Sequence, residues 1–281
     1  MSANASREID LTGHVALVTG GGRGLGRAFA QALSEAGAVV AVTARSEDQL
    51  AETVNLIEGA GGRALAIVGD VSDPQSVEQA VTAVEEQLGP VDILVNNAGA
   101  IGELKEEWLT DPDEWWRTIE INLRGPYMFI RRTLPGMIER GRGRIINISS
   151  NAAIGNLFFA GAYTASKAAL SQYSKNLAGQ LDGTGVTVFA YVPGMVRTAM
   201  FEGIANSPDV HSSIRNLFNE KIEDGTDIPL ENSVNMFMVL ASGKADALSG
   251  RHISVYDEDS DLLGRVEEIK ENDLYTLRLP T

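Results

Sequence analysis

Short apolar runs alternate with stretches in which apolar residues recur at helical spacing. Residues 15–18 form an apolar run, followed by a polar, glycine-rich segment. Ala28, Phe29, Ala32 and Leu33 then repeat at helical spacing up to Gly37, and residues 38–42 are a second apolar run. This is strand–turn–helix–strand, the opening of a βαβ unit. The alternation predicts further strands at 65–68, 93–95, 144–148, 186–191 and 252–255. It predicts helices at 74–88 (opened by Asp73), 114–139 (bent at Pro126), 162–181 and 234–240. Near-continuous apolar strands alternating with helices imply a parallel sheet covered on both faces. The fold class is therefore α/β: a doubly wound parallel sheet in three layers, α/β/α, as a single domain over residues 1–257. Residues 195–233 read as a long irregular insertion, and such a loop in a compact domain is usually functional, often a lid.

The last stretch, residues 258–281, differs in character. Leu262, Leu263, Val266 and Ile269 predict a short amphipathic helix with an acidic outer face, and residues 274–279 read as an extended arm. This C-terminal extension is expected to pack locally or on a neighbouring subunit.

Composition narrows the function classes. The 281 residues contain no cysteine, which excludes disulfides, thiolate metal sites and a cysteine nucleophile. The formal net charge of −15 disfavours a nucleic-acid partner, and an anionic ligand would need local cations to hold it. No apolar run approaches the ~18 residues of a membrane span. The polar start, residues 1–10, has no signal-peptide core. The expectation is a cytoplasmic protein with no membrane partner and no metal.

Three groups of residues carry candidate chemistry. The first is Thr19-Gly20-Gly21-Gly22-Arg23-Gly24-Leu25-Gly26, between a predicted strand and a predicted helix. Gly20, Gly24 and Gly26 allow a tight turn, close approach to a pyrophosphate and close helix–strand packing. The helix N-terminus beyond them offers N–H groups and a positive dipole to phosphate. The second group lies at the ends of the next strands. No acid precedes Arg45, which with Arg23 is placed to hold a 2′-phosphate and so to favour NADP(H) over NAD(H). Glu47 and Asp48 follow closely and oppose this, and both arginines also read as ordinary surface residues. Asp70-Val71 fits an adenine contact or a capped turn, and Asn96-Asn97-Ala98-Gly99 suits a backbone passing close to a cofactor. The third group is Tyr163 and Lys167, four residues apart and so on one helix face. An ammonium beside a phenol favours the phenolate, so the pair reads as a proton donor and its tuner.

These motifs, with Ser150 and Pro193-Gly194, occur in the order of the short-chain dehydrogenase/reductase family, and the chain resembles that family from about residue 11 to 255. The nearest branch is the single-domain one that includes 3-oxoacyl-carrier-protein reductases. The resemblance implies a Rossmann-type sheet and reversible hydride transfer between a nicotinamide cofactor and a small-molecule carbonyl or alcohol. It implies Tyr163 as general acid or base, Lys167 on the nicotinamide ribose, and Ser150 on the substrate oxygen, with Ser149 as neighbouring alternative. Asn122 would kink its helix and hold a water of the proton relay. Pro193, Gly194, Val196 and Thr198 would fix the carboxamide, and Ala98 and Gly99 would lie along the cofactor. NADPH-dependent ketone reduction is the expected activity; the alternatives are an NAD-dependent secondary alcohol dehydrogenase and a non-catalytic dinucleotide-binding protein. Leu157, Phe158, Phe159, Met195, Met200 and Phe201 are candidate substrate-wall residues.

The tryptophan-rich segment 108–116 reads as core or interface filling, or as part of that wall. His14, His211 and His252 read as structural or surface residues. Arg131, Arg132, Arg140, Arg142 and Arg144 read as a solvated helix end, or as a docking site for an acidic carrier. Phe129, Ile130, Leu170, Tyr173 and Leu177 suggest more apolar surface than one sheet face covers, and the resemblance implies that their two helices pair across two-fold axes in a homotetramer. The tail is then expected on a neighbouring subunit, near its active-site entrance. The family's usual glycine pair after the last strand is missing at Ser254-Val255-Tyr256-Asp257.

Overall fold

A computed structural model describes residues 9–257 and 259–278. Its seven strands are β1 (Val15–Thr19), β2 (Val39–Ala44), β3 (Ala64–Val68), β4 (Ile93–Asn96), β5 (Gly143–Ile148), β6 (Val186–Val192) and β7 (His252–Ser254). They form one sheet in the order β3-β2-β1-β4-β5-β6-β7, every pair parallel. The helices are α1 (Gly24–Glu35), α2 (Glu47–Gly59), α3 (Pro74–Gln87), α4 (Pro112–Ile119), α5 (Gly125–Glu139) and α6 (Gly161–Gln180). They continue as α7 (Ala199–Asn206), α8 (Ser212–Glu223), α9 (Leu230–Ala241), α10 (Asp259–Gly264) and α11 (Val266–Glu271).

Strand pleating sorts the apolar residues into two cores. In β1, Ala16 and Val18 face one layer and Val15 and Leu17 the other. The first core takes Phe29 and Leu33 of α1, Leu50 and Ile57 of α2, and the buried face of α9. Phe29 stacks on Phe237 with ring centroids 4.1 Å apart. The second core takes Val77, Val81 and Val84 of α3, Phe129 and Met137 of α5, and Leu177 of α6. Asp73 caps α3 as expected, accepting from the amides of Gln75 and Ser76.

Several expectations are corrected. α2 was not anticipated, although Ser46, Glu47 and Asp48 open it and Leu50, Thr53 and Ile57 form its buried face. Residues 195–233 are not irregular: α7 and α8 pack Phe201, Ile204, Ile214 and Phe218 into a third apolar cluster. The predicted helix 114–139 breaks at a π turn over Glu120–Arg124, with Pro126 in the first turn of α5 beyond it. Trp108 and Trp116 are 83% and 62% exposed, so that segment does not fill the core. Phe129, Ile130, Leu170 and Leu177 are buried in the chain's own layers and are not surplus surface. Arg132 pairs with Glu78 and Glu85, Arg140 and Arg142 with buried Asp92, and Arg144 with Asp246. These four arginines are structural ties rather than a solvated helix end.

Of the two placements expected for the tail, the structure shows the local one. Leu262 and Ile269 are 1% and 0% exposed, buried in the first core of the same chain, where α11 packs on the short turn Asp246–Leu248. Asp273 accepts from Lys175 of α6 at 2.8 Å and from Arg251 at 2.5 Å. The amide of His252, on edge strand β7, donates to the Tyr275 carbonyl at 2.8 Å. The amide of Ser254 donates to the Asp257 carboxylate at 2.7 Å. The expected arm is a turn, with Asp273 and Tyr275 at φ of 47° and 58°; Leu279 lies outside the described residues. Among the described residues no helix is long and apolar enough to cross a membrane.

Candidate active site

In the order β2-β1-β4-β5, the chain reverses direction across the sheet between β1 and β4, so a crevice opens at their C-terminal ends. A cavity of about 740 Å³ lies there. Among the sequence-predicted site residues, Asn96, Asn122, Phe158 and Phe159 do not line it; the others do.

The glycine turn forms one wall. Gly20 and Gly24 have φ of 64° and 55°, which glycine adopts without strain. A Cβ on Gly26 would overlap the Gly20 carbonyl and the Asn97 amide. Asn97 braces the turn, donating from Nδ2 to the carbonyls of Thr19 at 2.9 Å and Gly20 at 3.2 Å. The Thr19 hydroxyl accepts in return from the amides of Asn97 and Ala98 at 3.1 and 3.0 Å. α1 begins at Gly24 with no acid in its first turn, so its N-terminal amides keep their positive field. This bare turn ahead of an uncompensated helix N-terminus fits a dinucleotide pyrophosphate.

Arg23 and Arg45 line the same cavity and are exposed, whereas Glu47 and Asp48 sit in the first turn of α2 and do not line it. Asp70 accepts from the Ser72 amide at 2.9 Å and hydroxyl at 2.6 Å. Burial pushes its carboxyl up, but those bonds and the fields of Arg45 and Arg117 outweigh burial and hold it below the usual range. Across the cleft, Thr198 caps α7 and stands 3.5 Å from where a Cβ on Gly24 would be. Gly194, at φ 79°, has no room for a side chain between Ile228 and Val255.

The candidate reactive groups meet where β5 ends and α6 begins. Ser150 caps the short helical turn Asn151–Ala153, its hydroxyl accepting from the Ala152 amide at 3.2 Å and lying beside the Tyr163 phenol. Lys167 is buried, and its Nζ donates to the Ile148 carbonyl at 2.8 Å. Burial lowers the ammonium pKa to about 8. Burial raises the Tyr163 phenol, with the Ser150 hydroxyl opposing it. The expected tuning by Lys167 is not among the causes of this shift. One Nζ–H goes to the Ile148 carbonyl, and Nζ lies 5.7 Å from the Tyr163 ring centroid.

Asn122 lies behind this centre, in the π turn. Its Oδ1 accepts from the Ala100 amide at 2.8 Å, and its Nδ2 donates to the Ala100 carbonyl and to Ser166 Oγ at 2.8 and 3.0 Å. Its Oδ1 and Lys167 Nζ both lie within 4 Å of the point where a Cβ on Gly99 would stand.

The remaining lining is mostly apolar. Leu157, Met195, Met200 and Phe201 belong to it as expected. Phe158 is 70% exposed and is not part of the lining. Phe159 stacks on His211 at 3.6 Å outside it, so His211 helps to seat the lid helices. Sequence reasoning missed Asn151, Asn156, Ile204, Leu217 and Phe218. The i, i+4 spacing of Ile214, Phe218 and Ile222 signals α8 and could have found the last two. Charged lining residues are Arg23, Arg45, Asp70 and Lys167, among those described.

The family model for short chain dehydrogenases matches residues 14–209. A short chain dehydrogenase of Pseudocercospora fijiensis is 36% identical, over 92% of this chain and 85% of its own. A 3-oxoacyl-[acyl-carrier-protein] reductase of Vibrio harveyi is 34% identical over 88% of this chain and 97% of its own. A variant of actinorhodin polyketide ketoreductase, crystallised with NADPH, superposes with a TM-score of 0.77 at 33% identity, covering 86% of this chain and 94% of that one.

Proposed function

The chain belongs to the short-chain dehydrogenase family, and from that premise we propose that it reduces an uncharged, apolar ketone to a secondary alcohol with NADPH. Membership makes it an NAD(P)-dependent oxidoreductase acting on CH–OH and C=O groups. The single observation that carries the finer reading is the convergence of Ser150, Tyr163 and Lys167 on one cavity with the glycine turn and two exposed arginines.

In this reading the α1 N-terminus and Gly20–Gly26 hold the pyrophosphate, and Arg23 and Arg45 hold a 2′-phosphate. Asp70 and Val71 border the adenine, and Asn97, Ala98 and Gly99 border the ribose and its neighbours. Lys167 and Tyr163 hold the nicotinamide ribose, and Pro193, Gly194, Val196 and Thr198 the carboxamide. The bound nicotinamide supplies the hydride that the carbonyl carbon accepts. Ser150 donates to the carbonyl oxygen, and Tyr163 transfers its phenolic proton to that oxygen as negative charge develops. Asn122, through Ala100 and Ser166, keeps the segment after β4 registered against α6. The lid helices α7 and α8 exclude water from the apolar half. The lack of charge among the apolar lining residues supports alicyclic, aromatic or acyl ketones over carboxylates.

Homotetrameric assembly belongs to the same reading, with exposed Trp116 and Tyr127 on α4 and α5 as candidate contacts. Light scattering at micromolar concentration tests it. For the activity, NADPH and NADH are each incubated with a panel of neutral and charged carbonyl compounds. Oxidation of NADPH by neutral ketones is expected; turnover of none of the panel, in either direction, would overturn the reading.

A further inference from the structure

A buried chain of polar groups runs behind the Tyr163–Lys167 face of α6 and takes no part in the chemistry above. His252 Nδ1, on β7, lies 3.1 Å from Ser171 Oγ on α6. Ser171 Oγ lies 2.7 Å from Ser149 Oγ, at the end of β5. Ser149 Oγ reaches the Lys167 carbonyl at 3.5 Å, the longest link. All four residues are buried.

The donors in this chain can be assigned. The Lys167 carbonyl only accepts, so Ser149 donates to it. Ser149 then accepts from Ser171, and Ser171 accepts from His252. That order requires the proton on Nδ1 of His252 and leaves Nε2 as a bare lone pair. Nε2 is buried without a partner among the described residues. The reverse order would put a proton on Nε2 and bury an orphan N–H, which proteins tolerate less than an unpaired acceptor. Burial also depresses the imidazole pKa to about 4, so the ring is neutral near pH 7.

We propose that His252 is a positioning residue: through Ser171 and Ser149 it fastens the end of β5 to α6, and so sets the Ser150 hydroxyl against the Tyr163 phenol. The role rests on the oxidoreductase reading above. Ser149 immediately precedes Ser150, and Lys167 lies one helical turn beyond Tyr163, so the relay spans the two elements whose spacing defines the reactive centre. The backbone of His252 is itself held by the tail, through its bond to the Tyr275 carbonyl.

His252→Leu removes the terminal donor, and His252→Asn replaces Nδ1–H by an amide N–H in a similar place. His252→Leu and Ser149→Ala are each expected to lower kcat about tenfold, less than the ~100-fold of a full ångström of misplacement. The Michaelis constant and cofactor affinity should stay within about twofold. His252→Asn should recover most of the loss, and the double variant His252→Leu/Ser149→Ala should lose no more than the worse single one. Wild-type turnover in His252→Leu, or equal losses in the Asn and Leu variants with melting temperatures intact, would overturn the proposal. A second readout does not depend on activity: nitrogen NMR of histidine-labelled wild-type protein should show His252 as the Nδ1–H tautomer at neutral pH. The Nε2–H tautomer there would overturn the relay even if the enzyme reading stands, whereas an inactive protein with the Nδ1–H tautomer would count against that reading alone.

Discussion

The Lys167 ammonium and the Ile148 carbonyl meet at 2.8 Å, and this bond ties the helix that carries Tyr163 to the strand that leads into Ser150. It is made by a buried cation with no carboxylate beside it among the described residues. Burial accordingly lowers the Lys167 pKa to about 8 from 10.5. A depression of that size corresponds to about 3 kcal/mol of cost to the folded state at neutral pH. The unfolded chain holds the proton more tightly between about pH 8 and 10.5, so stability should rise with pH across that window. Lys167→Met should abolish that rise and raise the melting temperature at pH 7 by at least about 2 °C, while activity collapses. Paired thermal scans at pH 7 and 10 measure both; a destabilised Lys167→Met at pH 7 would show that the Ile148 bond outweighs desolvation.

Tyr163→Phe keeps the ring and deletes the proposed acid. Turnover should fall by at least about two orders of magnitude, the usual scale for general acid–base catalysis, with cofactor affinity nearly unchanged. Burial raises the phenol above 10, so it stays protonated through neutral pH. Ketone reduction, which needs the acid, should be flat there and fall only in alkali. Alcohol oxidation, which needs the base, should climb with pH over the same range. An oxidation rate already level at pH 7 would mean that bound cofactor lowers the phenol far below its value in the protein alone.

Local patterns made most of this molecule legible in the sequence. β1 and the glycine turn were readable because Val15–Val18 and Gly20–Gly26 declare their conformation within a few residues. Tyr163 and Lys167 were readable because helical spacing alone puts them together. Long-range partners were not. Nothing near Asn122 announces Ala100 and Ser166, and nothing near His252 announces Ser171. The stripe Leu262–Ile269 required burial but could not say against what, so local packing and a neighbouring subunit both stood open where the chain's own first core takes Leu262 and Ile269. The Tyr163 shift was misjudged because spacing fixes which face Lys167 occupies, not that Nζ turns to Ile148.

The C-terminal extension is expected to be a structural part of the catalytic domain. Deleting residues 258–281 uncovers the apolar surface that buries Leu262 and Ile269, each worth roughly 1.5–3 kcal/mol. The melting temperature should drop by at least about 5 °C. Asp273→Asn is the milder test. Its carboxyl is held at about 2, chiefly by the Lys175 bond against the cost of burial, with Arg251 adding to it. The contribution is present above the ordinary aspartate value and is lost as pH falls through about 2. The carboxylate is partly exposed, so the pairs should contribute only about 1 kcal/mol. The gap in stability between Asp273→Asn and wild type should close in strong acid; an unchanged melting temperature on truncation would show that the tail is dispensable.

Cofactor choice turns on the end of β2. In the proposed reading Ala44 takes the place from which a carboxylate would hold the ribose hydroxyls; it lines the cavity with Arg45 and Ser46. Glu47 and Asp48, the two acids that could have substituted, are committed to the first turn of α2 and are not in the lining. Charge-assisted bonds from Arg23 and Arg45 to a 2′-phosphate are worth roughly 1.5–3 kcal/mol each before solvent screening. Both side chains are exposed, the net charge is −15, and Arg45 already feels Asp70, so much of that is screened or shared. A preference for NADPH of about tenfold to a few hundredfold follows, at about 1.4 kcal/mol per decade. Arg45→Ala should remove most of it. Ala44→Asp should reverse it, because a carboxylate there accepts from the ribose hydroxyls and repels the phosphate. The ratio of kcat/KM values with NADPH and NADH measures the preference in all three proteins. A wild-type ratio favouring NADH would mean that the two arginines do not hold the phosphate.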